Sequence, residues 1–317
     1  MQAAGSSTYS HLFGPVPSRR LGISLGIDLV PRKTCSLNCV YCECGATTDL
    51  TTARREYVPF GEVVSELDRF LADAPKLDVI TFAGSGEPTL HSRIGDLISH
   101  IKKHHNRYRI AVLTNGTLLH RPDVRGELMP ADLMLPSLDA VSPEAFEKLN
   151  RPAEGITAKL VIDGIRCFAD AYRGALWIEV FIVPGTNDSP EELGLLKQAL
   201  SSIRLARVQL NTLDRPGAVA GIAPSPPERL REIAAFLSPL PVEIIARNAG
   251  VTAATFVTSD ITQAILSAVR RRPCTVEDLA SMCGRNINEI NKVVGIMLQQ
   301  DAISAETVNG QVFYASR

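Results

Sequence analysis

The chain has 317 residues, with 33 lysines and arginines against 34 aspartates and glutamates, a formal net charge of -1 and 45% apolar residues. This length allows one large domain and a small one, and the charge balance lacks the global basic excess typical of nucleic-acid-binding proteins. The polar N-terminus has neither a cationic start nor an apolar run, and no later stretch reaches about 18 uninterrupted apolar residues, so neither a signal peptide nor a membrane span is expected.

Strand-like and helix-like segments alternate over most of the chain. Residues 1–12 are predicted to be a disordered tail, and a Pro- and Gly-rich stretch then leads into a first strand over 23–30. Further strands are predicted over 79–83, 110–113, 131–140, 176–183, 207–211 and 242–246. Helices are predicted over 61–72, 92–103, 142–149, 158–172, 191–202 and 226–237. About six such units predict an α/β fold with a parallel sheet, a partial (β/α)6 TIM-like barrel over 13–255.

The pattern changes in the last 60 or so residues. Helices are predicted over 261–271, 275–283 and 288–300, and Asn309-Gly310 predicts a hairpin turn between the strands of residues 303–314. Three helices followed by a hairpin are typical of a winged-helix domain, here residues 256–317. Its six cationic and six acidic side chains cancel, so DNA is not expected as a partner and we favour docking of a substrate or partner.

Three cysteines stand within eight residues, in the sequence Cys35-Ser-Leu-Asn-Cys39-Val-Tyr-Cys42, just after the first predicted strand. Three thiolates are one short of a closed zinc or iron–sulfur site, and the open position allows a small molecule to bind the metal. A zinc knuckle that takes Cys44 as its fourth ligand is the alternative. An odd total of seven cysteines and their close spacing argue against a disulfide framework, so a reducing cytoplasm is expected.

This spacing, with Tyr41 just before the third cysteine, resembles the signature of the radical S-adenosylmethionine (SAM) enzymes. The resemblance implies that Cys35, Cys39 and Cys42 hold a [4Fe–4S] cluster whose fourth iron binds SAM. It also implies reductive cleavage of SAM to a 5′-deoxyadenosyl radical, which takes a hydrogen atom from a substrate. An electron donor such as flavodoxin or ferredoxin is the expected partner for such an oxidoreductase.

Polar residues at the ends of the predicted strands extend the resemblance over about residues 20–250. Ser85-Gly86-Glu87 stands where the family has a Gly-Gly-Glu sequence that holds the methionine amino group, with serine replacing the first glycine. The resemblance implies further cofactor contacts by Tyr41, Asn115, Ser137, Asp139, Glu179 and Asn187. For Glu179 two interpretations stay open, an inward-facing ligand or the outward half of a strand alternation.

Several segments resemble the branch that contains the wybutosine-pathway tRNA enzymes, among them Leu149-Asn-Arg-Pro152 and Gln209-Leu-Asn-Thr-Leu-Asp-Arg-Pro216. This resemblance implies a tRNA purine as substrate, although the second cysteine group and the pyruvate-binding lysine of those enzymes have no equivalent here. The residues predicted on the substrate side are Arg151, Asn211, Asp214 and Arg215.

Two alternatives to a tRNA-modifying enzyme remain open at this point. The first is a radical SAM enzyme that modifies a peptide or protein. The second is a redox-sensing regulator in which the cluster controls DNA binding by the winged helix. Five histidines around the second predicted helix are interpreted as surface residues rather than metal ligands: His91, His100, His104, His105 and His120.

Overall fold

A computed structural model of the chain describes residues 9–245 and 261–317. The strands are β1 (Leu12–Ser18), β2 (Gly22–Ile27), β3 (Thr34–Cys35), β4 (Asp49–Leu50), β5 (Val79–Phe82), β6 (Arg109–Thr114), β7 (Leu133–Pro136), β8 (Ala175–Phe181), β9 (Arg207–Asn211), β10 (Val242–Ile244), β11 (Ile303–Val308) and β12 (Gln311–Ser316). The helices are α1 (Phe60–Leu71), α2 (Ile94–His104), α3 (Pro122–Leu128), α4 (Pro143–Asn150), α5 (Ala158–Ala171), α6 (Pro190–Ser201), α7 (Pro227–Phe236), α8 (Ile261–Arg271), α9 (Val276–Cys283) and α10 (Ile287–Gln299), with a 3₁₀ turn at Pro88–Leu90.

The central element is an eight-stranded sheet in the order β1-β2-β5-β6-β7-β8-β9-β10. Strand β1 is antiparallel to β2, and the other neighbours in this sheet are parallel. Helices connect the parallel strands, as the alternating sequence pattern predicts. This is an α/β fold with a mostly parallel sheet, consistent with a partial TIM barrel.

The N-terminal residues differ from the sequence-based prediction. The backbone amides of Ser10 and His11 donate hydrogen bonds of 2.9 Å to Glu66 on α1, and the Tyr9 ring meets the Phe70 ring edge-on at 5.5 Å. Residues 9–12 of the predicted tail are therefore held against α1, and its first eight residues lie outside the described residues. The sequence also does not predict strand β1, because two prolines interrupt its strand pattern. Proline is nevertheless tolerated here, since β1 is an edge strand of the sheet.

The two faces of the sheet carry different side chains. One face packs Ile80, Val112 and Ile178 against the helices in the large hydrophobic core. The opposite face carries Val79 and Trp177 in a smaller cluster of strand residues. Glu179 lies two residues after Trp177 and so shares that second face, where a ligand can approach the strand ends.

The C-terminal helices and hairpin lie where the sequence predicts them. Strands β11 and β12 are antiparallel, and Asn309 and Gly310 between them have φ values of 51° and 76°, as a type I′ turn requires. The three helices and the hairpin enclose a separate hydrophobic cluster. In the described part of the chain, no helix is both long and apolar enough to cross a membrane.

Candidate active site

The cysteine loop follows β2 and so stands at the C-terminal edge of the parallel sheet. Strands β3 and β4 pair within it, and the backbone amides of Asn38 and Val40 donate to carbonyls at the end of α4, each at 2.9 Å. Barrel enzymes place their chemistry at this edge, because the loops that follow the strands meet there. The fold therefore presents the three cysteines where a catalytic site is expected.

Each of the three cysteine sulfurs accepts a hydrogen bond from a side-chain nitrogen. The pairs are Asn115 Nδ2 to Cys35 Sγ at 3.5 Å, Asn150 Nδ2 to Cys39 Sγ at 3.4 Å, and Lys33 Nζ to Cys42 Sγ at 3.0 Å. Hydrogen bonds of this kind stabilise electron-rich sulfur and tune the potential of iron–sulfur clusters. The three donors come from three different parts of the chain, so the fold brings one nitrogen donor to each of the three sulfurs.

The number of thiolates distinguishes a cluster from a closed zinc ion. Zinc in structural sites takes four protein ligands, whereas a cluster held by three cysteines keeps one iron open. In the described part of the chain, the three cysteines do not bring all three sulfurs within 4.8 Å of one another. A zinc knuckle would need these sulfurs closer together and Cys44 as a fourth ligand.

The thiol groups differ in their acidity. A hydrogen bond with the Cys44 thiol and the charge of Lys33 outweigh burial and lower the pKa of Cys42 to about 5. Burial raises the pKa of Cys35 to about 12 and also raises the pKa of Cys39. Cys42 is thus the most acidic of the three thiols, whereas the other two need a bound cation to hold the deprotonated form.

The predicted Ser85-Gly86-Glu87 loop packs directly on the start of the cysteine loop. The Ser85 amide and hydroxyl both donate to Asp28 Oδ2, at 3.1 and 2.9 Å, which accounts for serine in place of the family's first glycine. A Cβ on Gly86 would lie 2.2 Å from the Thr34 carbonyl oxygen, so only glycine allows this approach. The loop therefore presents its backbone beside the cysteines.

Glu87 is buried, and its carboxylate is fully used within the protein. Its oxygens accept from the amide and hydroxyl of Thr89, from the Thr114 hydroxyl at 2.7 Å, and from the Asn115 amide at 2.7 Å. Burial raises the pKa of Glu87. The side chain thus joins the loop to the end of β6.

Asp139 joins the cysteine loop to the ends of β7 and β8. Its carboxylate accepts hydrogen bonds from the Tyr41 hydroxyl, from Asn150 Nδ2 at 3.0 Å and from the Phe181 amide at 2.9 Å. Burial raises the pKa of Asp139 to about 6. The Tyr41 ring stacks on the Phe181 ring at 4.0 Å. Tyr41 and Asp139 therefore fix the position of the cysteine loop.

Glu179 lies in a polar group on the second face of the sheet. Its Oε1 accepts from Arg20 Nη1 at 2.7 Å and from Asn211 Nδ2 at 2.9 Å. The backbone of Ser137 pairs with the backbone of Glu179 in an isolated parallel β-bridge. The Ser137 amide also donates a hydrogen bond to the Thr114 carbonyl at 3.0 Å. This geometry supports the interpretation in which Glu179 faces inward. Asn211 lies directly beside the Glu179 carboxylate.

Asn187 and Arg215 have partners that the sequence did not indicate. Asn187 is fully buried, and its side chain makes hydrogen bonds to Val183, Phe181 and Asp139 backbone atoms, so it forms the turn after β8 instead of facing a ligand. Arg215 keeps 6% of its side chain exposed and is held by three carboxylates. Its partners are Glu43 at 3.3 Å, Asp214 at 3.5 Å and Asp278 at 2.9 Å.

The other two predicted substrate-side residues to describe are Asp214, which belongs to this ion-pair network, and Arg151. Asp214 also pairs with Arg19 at 3.3 Å. Arg151 is the C-cap residue of α4 and has the left-handed conformation, with φ at 46°. Its side chain is exposed. Arg151 thus directly follows Asn150, which holds Cys39.

Sequence reasoning missed Lys33, Asn150 and Asp28, although each contacts the cysteine loop or the loop at Ser85. Lys33 precedes Cys35 by two residues, so its place in the loop was an available signal. Asn150 lies inside the segment Leu149-Asn-Arg-Pro152, where charge points to Arg151 and nothing in the sequence marks Asn150 as a partner of Cys39. Asp28 carried no signal, because its partners Ser85 and Arg271 are distant in sequence.

The profile of the Radical SAM superfamily matches residues 29–196, more than half of the chain. A UPF0026 protein from Helicobacter pylori is 32% identical over 307 residues, covering 96% of this chain and 97% of that protein. A Brachyspira hyodysenteriae protein named GTPase Obg is 32% identical over 305 residues, covering 96% of this chain, and the chain spans only 45% of that relative. A radical SAM methyltransferase structure from Sphaerobacter thermophilus shares the fold, with a TM-score of 0.57 and 18% identity over 72% of this chain and 67% of that one.

The matched range contains the cysteine loop, the loop at Ser85 and the strand ends that surround them. The three cysteines and the nitrogen donors to their sulfurs agree with the metal chemistry of that family. The chain therefore belongs to the radical SAM superfamily and, within it, to the UPF0026 proteins, and its cofactors are a [4Fe–4S] cluster and S-adenosylmethionine.

Proposed function

We propose that this enzyme uses Cys35, Cys39 and Cys42 to hold the cluster and abstracts a hydrogen atom from a tRNA base. When bound, the cluster and SAM supply a 5′-deoxyadenosyl radical after transfer of one electron from a donor such as flavodoxin or ferredoxin. The observation that carries the proposal is the set of three sulfurs at the C-terminal edge of the sheet, each with its own N–H donor. Such an arrangement serves a redox cluster rather than a closed structural ion.

The chain's own residues have the task of binding and orienting SAM. The backbone of Ser85 and Gly86 lies against the cysteine loop and is the surface on which we place the methionine end. Glu179 offers a carboxylate acceptor for ribose hydroxyls, with Asn211 beside it. Ser137 and Asp139 complete this edge, where Asp139 acts by holding Tyr41 and the cysteine loop in place. Positioning of this kind makes hydrogen transfer efficient and keeps water away from a reactive radical.

We place the substrate at the loop that follows β9. A cavity of about 210 Å³ lies there, between that loop and the C-terminal hairpin, and it is lined by Leu213, Asp214, Arg215, Pro216, Ile222, Pro224, Val308, Asn309, Gln311 and Phe313. The cavity is smaller than a usual ligand pocket of about 300–1,000 Å³, so it suits one ring-sized group rather than the whole of SAM. A purine that stacks on an aromatic ring and hydrogen-bonds to charged groups fits this lining.

We further propose that residues 256–317 form a winged-helix domain that docks the substrate, and that the barrel covers residues 13–255. The three helices and the β11–β12 hairpin support this assignment. DNA is a poor partner, because four of the domain's cations already pair with carboxylates. These pairs are Arg271 with Asp28, Arg272 with Glu43, Arg285 with Glu289 and Arg317 with Asp301.

An anaerobic assay tests this function. The cluster is reconstituted and reduced, SAM is added, and 5′-deoxyadenosine is measured with and without bulk tRNA from a strain that lacks this protein. We expect cleavage that tRNA stimulates and that Cys39→Ala abolishes together with bound iron. Cys167→Ala is the matched control, because Cys167 is exposed on α5 and should leave both the iron content and cleavage unchanged.

The other outcomes separate the competing functions. Cleavage that ignores tRNA but responds to a peptide would replace the RNA substrate with a peptide or protein. A verified cluster that binds SAM without cleaving it, together with cluster-dependent binding of duplex DNA, would favour the redox-sensing regulator instead.

A further inference from the structure

A second set of metal-ligating side chains lies outside the candidate active site, on the surface between α1 and α2. Asp68 belongs to α1, His100 belongs to α2, and His105 directly follows the last residue of α2. Both histidine Nε2 atoms approach the same oxygen, Asp68 Oδ1, at 2.8 Å for His100 and 2.7 Å for His105. In the described part of the chain, this is the one group of three or more such side chains whose ligand atoms lie within 4.8 Å of one another.

The donor set suits a divalent transition-metal ion. Two imidazole nitrogens and one carboxylate oxygen are common ligands of Zn²⁺, which binds them at about 2.0–2.2 Å. Ligand atoms around a tetrahedral ion of this size lie about 3.3 Å apart, so the present N–O contacts need to open by only about 0.5 Å. The imidazoles bind as neutral bases, so metal binding removes the Nε2 protons that now point to Asp68 or moves them to Nδ1.

The surroundings of the three side chains also suit a bound ion. Partial burial opposes ionisation of Asp68, but the hydrogen bonds from His100 and His105 outweigh it and lower the pKa of this carboxyl group. The two histidine side chains are each 17% exposed and Asp68 is 45% exposed, so the ligands are held from one side and water can reach the other. The His104 ring lies 4.6 Å from the His100 ring and supports it without approaching Asp68 as a ligand.

The position in the fold indicates what an ion would do there. Helices α1 and α2 run back from the C-terminal edge of the sheet, so their last turns lie at the opposite end from the cysteines. This end of a barrel serves stability rather than chemistry. We propose that Asp68, His100 and His105 bind one Zn²⁺ ion, which joins the end of α1 to the end of α2. This proposal does not depend on the substrate or the reaction.

The test uses the untagged holoenzyme with its cluster in place, so that zinc does not compete for the cysteines. Zinc is titrated by calorimetry, bound zinc and iron are counted by elemental analysis, and zinc X-ray absorption identifies the neighbouring atoms. We expect one Zn²⁺ with nitrogen and oxygen neighbours and unchanged iron content. Asp68→Asn, which keeps the side-chain shape, and His105→Ala should each weaken zinc binding by more than about tenfold, since even outer partners of a metal contribute this much.

His104→Ala is the matched control, because it removes a neighbouring imidazole but no proposed ligand. It should bind zinc as the wild-type chain does. Zinc should also raise the thermal unfolding midpoint of the wild-type chain and of His104→Ala, but not that of Asp68→Asn. Sulfur neighbours around the bound zinc, an affinity that Asp68→Asn leaves unchanged, or no zinc uptake by the folded wild-type chain would each overturn the proposal.

Discussion

At the scale of single residues, charge around the cysteines is the main feature. Lys33 is buried, and its ammonium group lies 3.0 Å from Cys42 Sγ. A buried cation is costly unless a negative group faces it, and the Cys42 thiol, whose pKa is lowered, is the group that Lys33 contacts. Amide donors from Asn115 and Asn150 serve the other two sulfurs. The site is thus prepared for a cluster that carries negative charge before the cluster is inserted.

Gly86 gives a residue-scale prediction. Alanine at this position would place its Cβ 2.2 Å from the Thr34 carbonyl oxygen and 2.5 Å from Val30 Cγ2, so the loop has to move away from the cysteines. We expect Gly86→Ala to lower the free energy of unfolding by roughly 1–3 kcal/mol, as overpacking does. Iron retained after reconstitution should fall as well. Anaerobic denaturant titration and iron analysis measure the two effects.

Gly194→Ala is the control for this substitution. Gly194 lies inside α6, and no atom stands within 4 Å of an added Cβ. Alanine should therefore stabilise the chain by up to about 1 kcal/mol through its higher helix propensity. If Gly86→Ala unfolds and retains iron as the wild-type chain does, the close approach of the two loops is refuted.

At the scale of elements, local signals predicted most helices correctly. Ser142, Ser189 and Thr275 each accept a hydrogen bond from a backbone amide in the first turn of the helix that they precede. Such side chains satisfy amides that have no partner inside the helix, so they mark helix starts in the sequence. The sequence does not predict α3, which has only 7 residues and so shows too little of a periodic pattern.

The capping box of α9 gives the element-scale prediction. Thr275 Oγ1 accepts from the Asp278 amide at 3.2 Å, while the Asp278 carboxylate accepts from the Thr275 amide at 3.1 Å. Thr275→Ala removes one half of this box and should lower the free energy of unfolding by about 1 kcal/mol. Thr275→Ser keeps the hydroxyl and should retain most of the stability. Equal losses in the two variants, measured by denaturant titration, would show that the cap contributes nothing.

The parallel sheet and the cysteine loop could be predicted because their signals are local. The periodicity of apolar residues predicts the strands and helices, and the spacing of the three cysteines predicts the cluster site. Contacts between distant residues could not be predicted. Asn187 and Arg215 have the residue types of ligands, and only the fold shows that backbone groups and carboxylates already occupy them. Strand β1 is recognised only by its pairing with β2, because Pro15 and Pro17 hide its pattern.

At the scale of the whole molecule, charged contacts join the C-terminal helices to the edge of the sheet that carries the cysteines. Arg271 pairs with Asp28 at 3.1 Å, and Arg215 bridges Glu43 in the cysteine loop and Asp278 in α9. Asp28 also holds Ser85. A single intermediate residue thus connects the C-terminal helices to each loop of the candidate active site. Asp28 connects Arg271 to the loop at Ser85, and Arg215 connects Asp278 to the cysteine loop.

Arg215 gives the whole-molecule prediction. Arg215→Ala leaves three carboxylates without this cation, and we expect a loss of about 3 kcal/mol in the free energy of unfolding. The value stands at the lower end of the range for buried pairs because Glu43 and Asp278 keep 20% and 28% of their side chains exposed. Denaturant titration measures the loss, and a double-mutant cycle with Asp278→Asn measures the coupling between these two groups.

The control is an exposed ion pair. Arg231 and Glu228 lie 3.0 Å apart on α7, with 64% and 69% of their side chains exposed. Arg231→Ala should change the free energy of unfolding by less than about 1 kcal/mol, as surface pairs do. Similar losses for Arg231→Ala and Arg215→Ala, or no coupling with Asp278, would contradict the bridging role.

The pairing of Arg271 with Asp28 also sets an order of events during synthesis. These residues are 243 positions apart, and a ribosome adds about 5–20 residues per second, so roughly 10–50 seconds pass between their emergence. For most of that interval Cys35, Cys39 and Cys42 have been synthesised, whereas α8, α9 and α10 have not. The three cysteines are therefore synthesised before the pairs of Arg271 with Asp28 and of Arg272 with Glu43 can form, and iron and sulfide that reach the nascent chain do not meet these ion pairs.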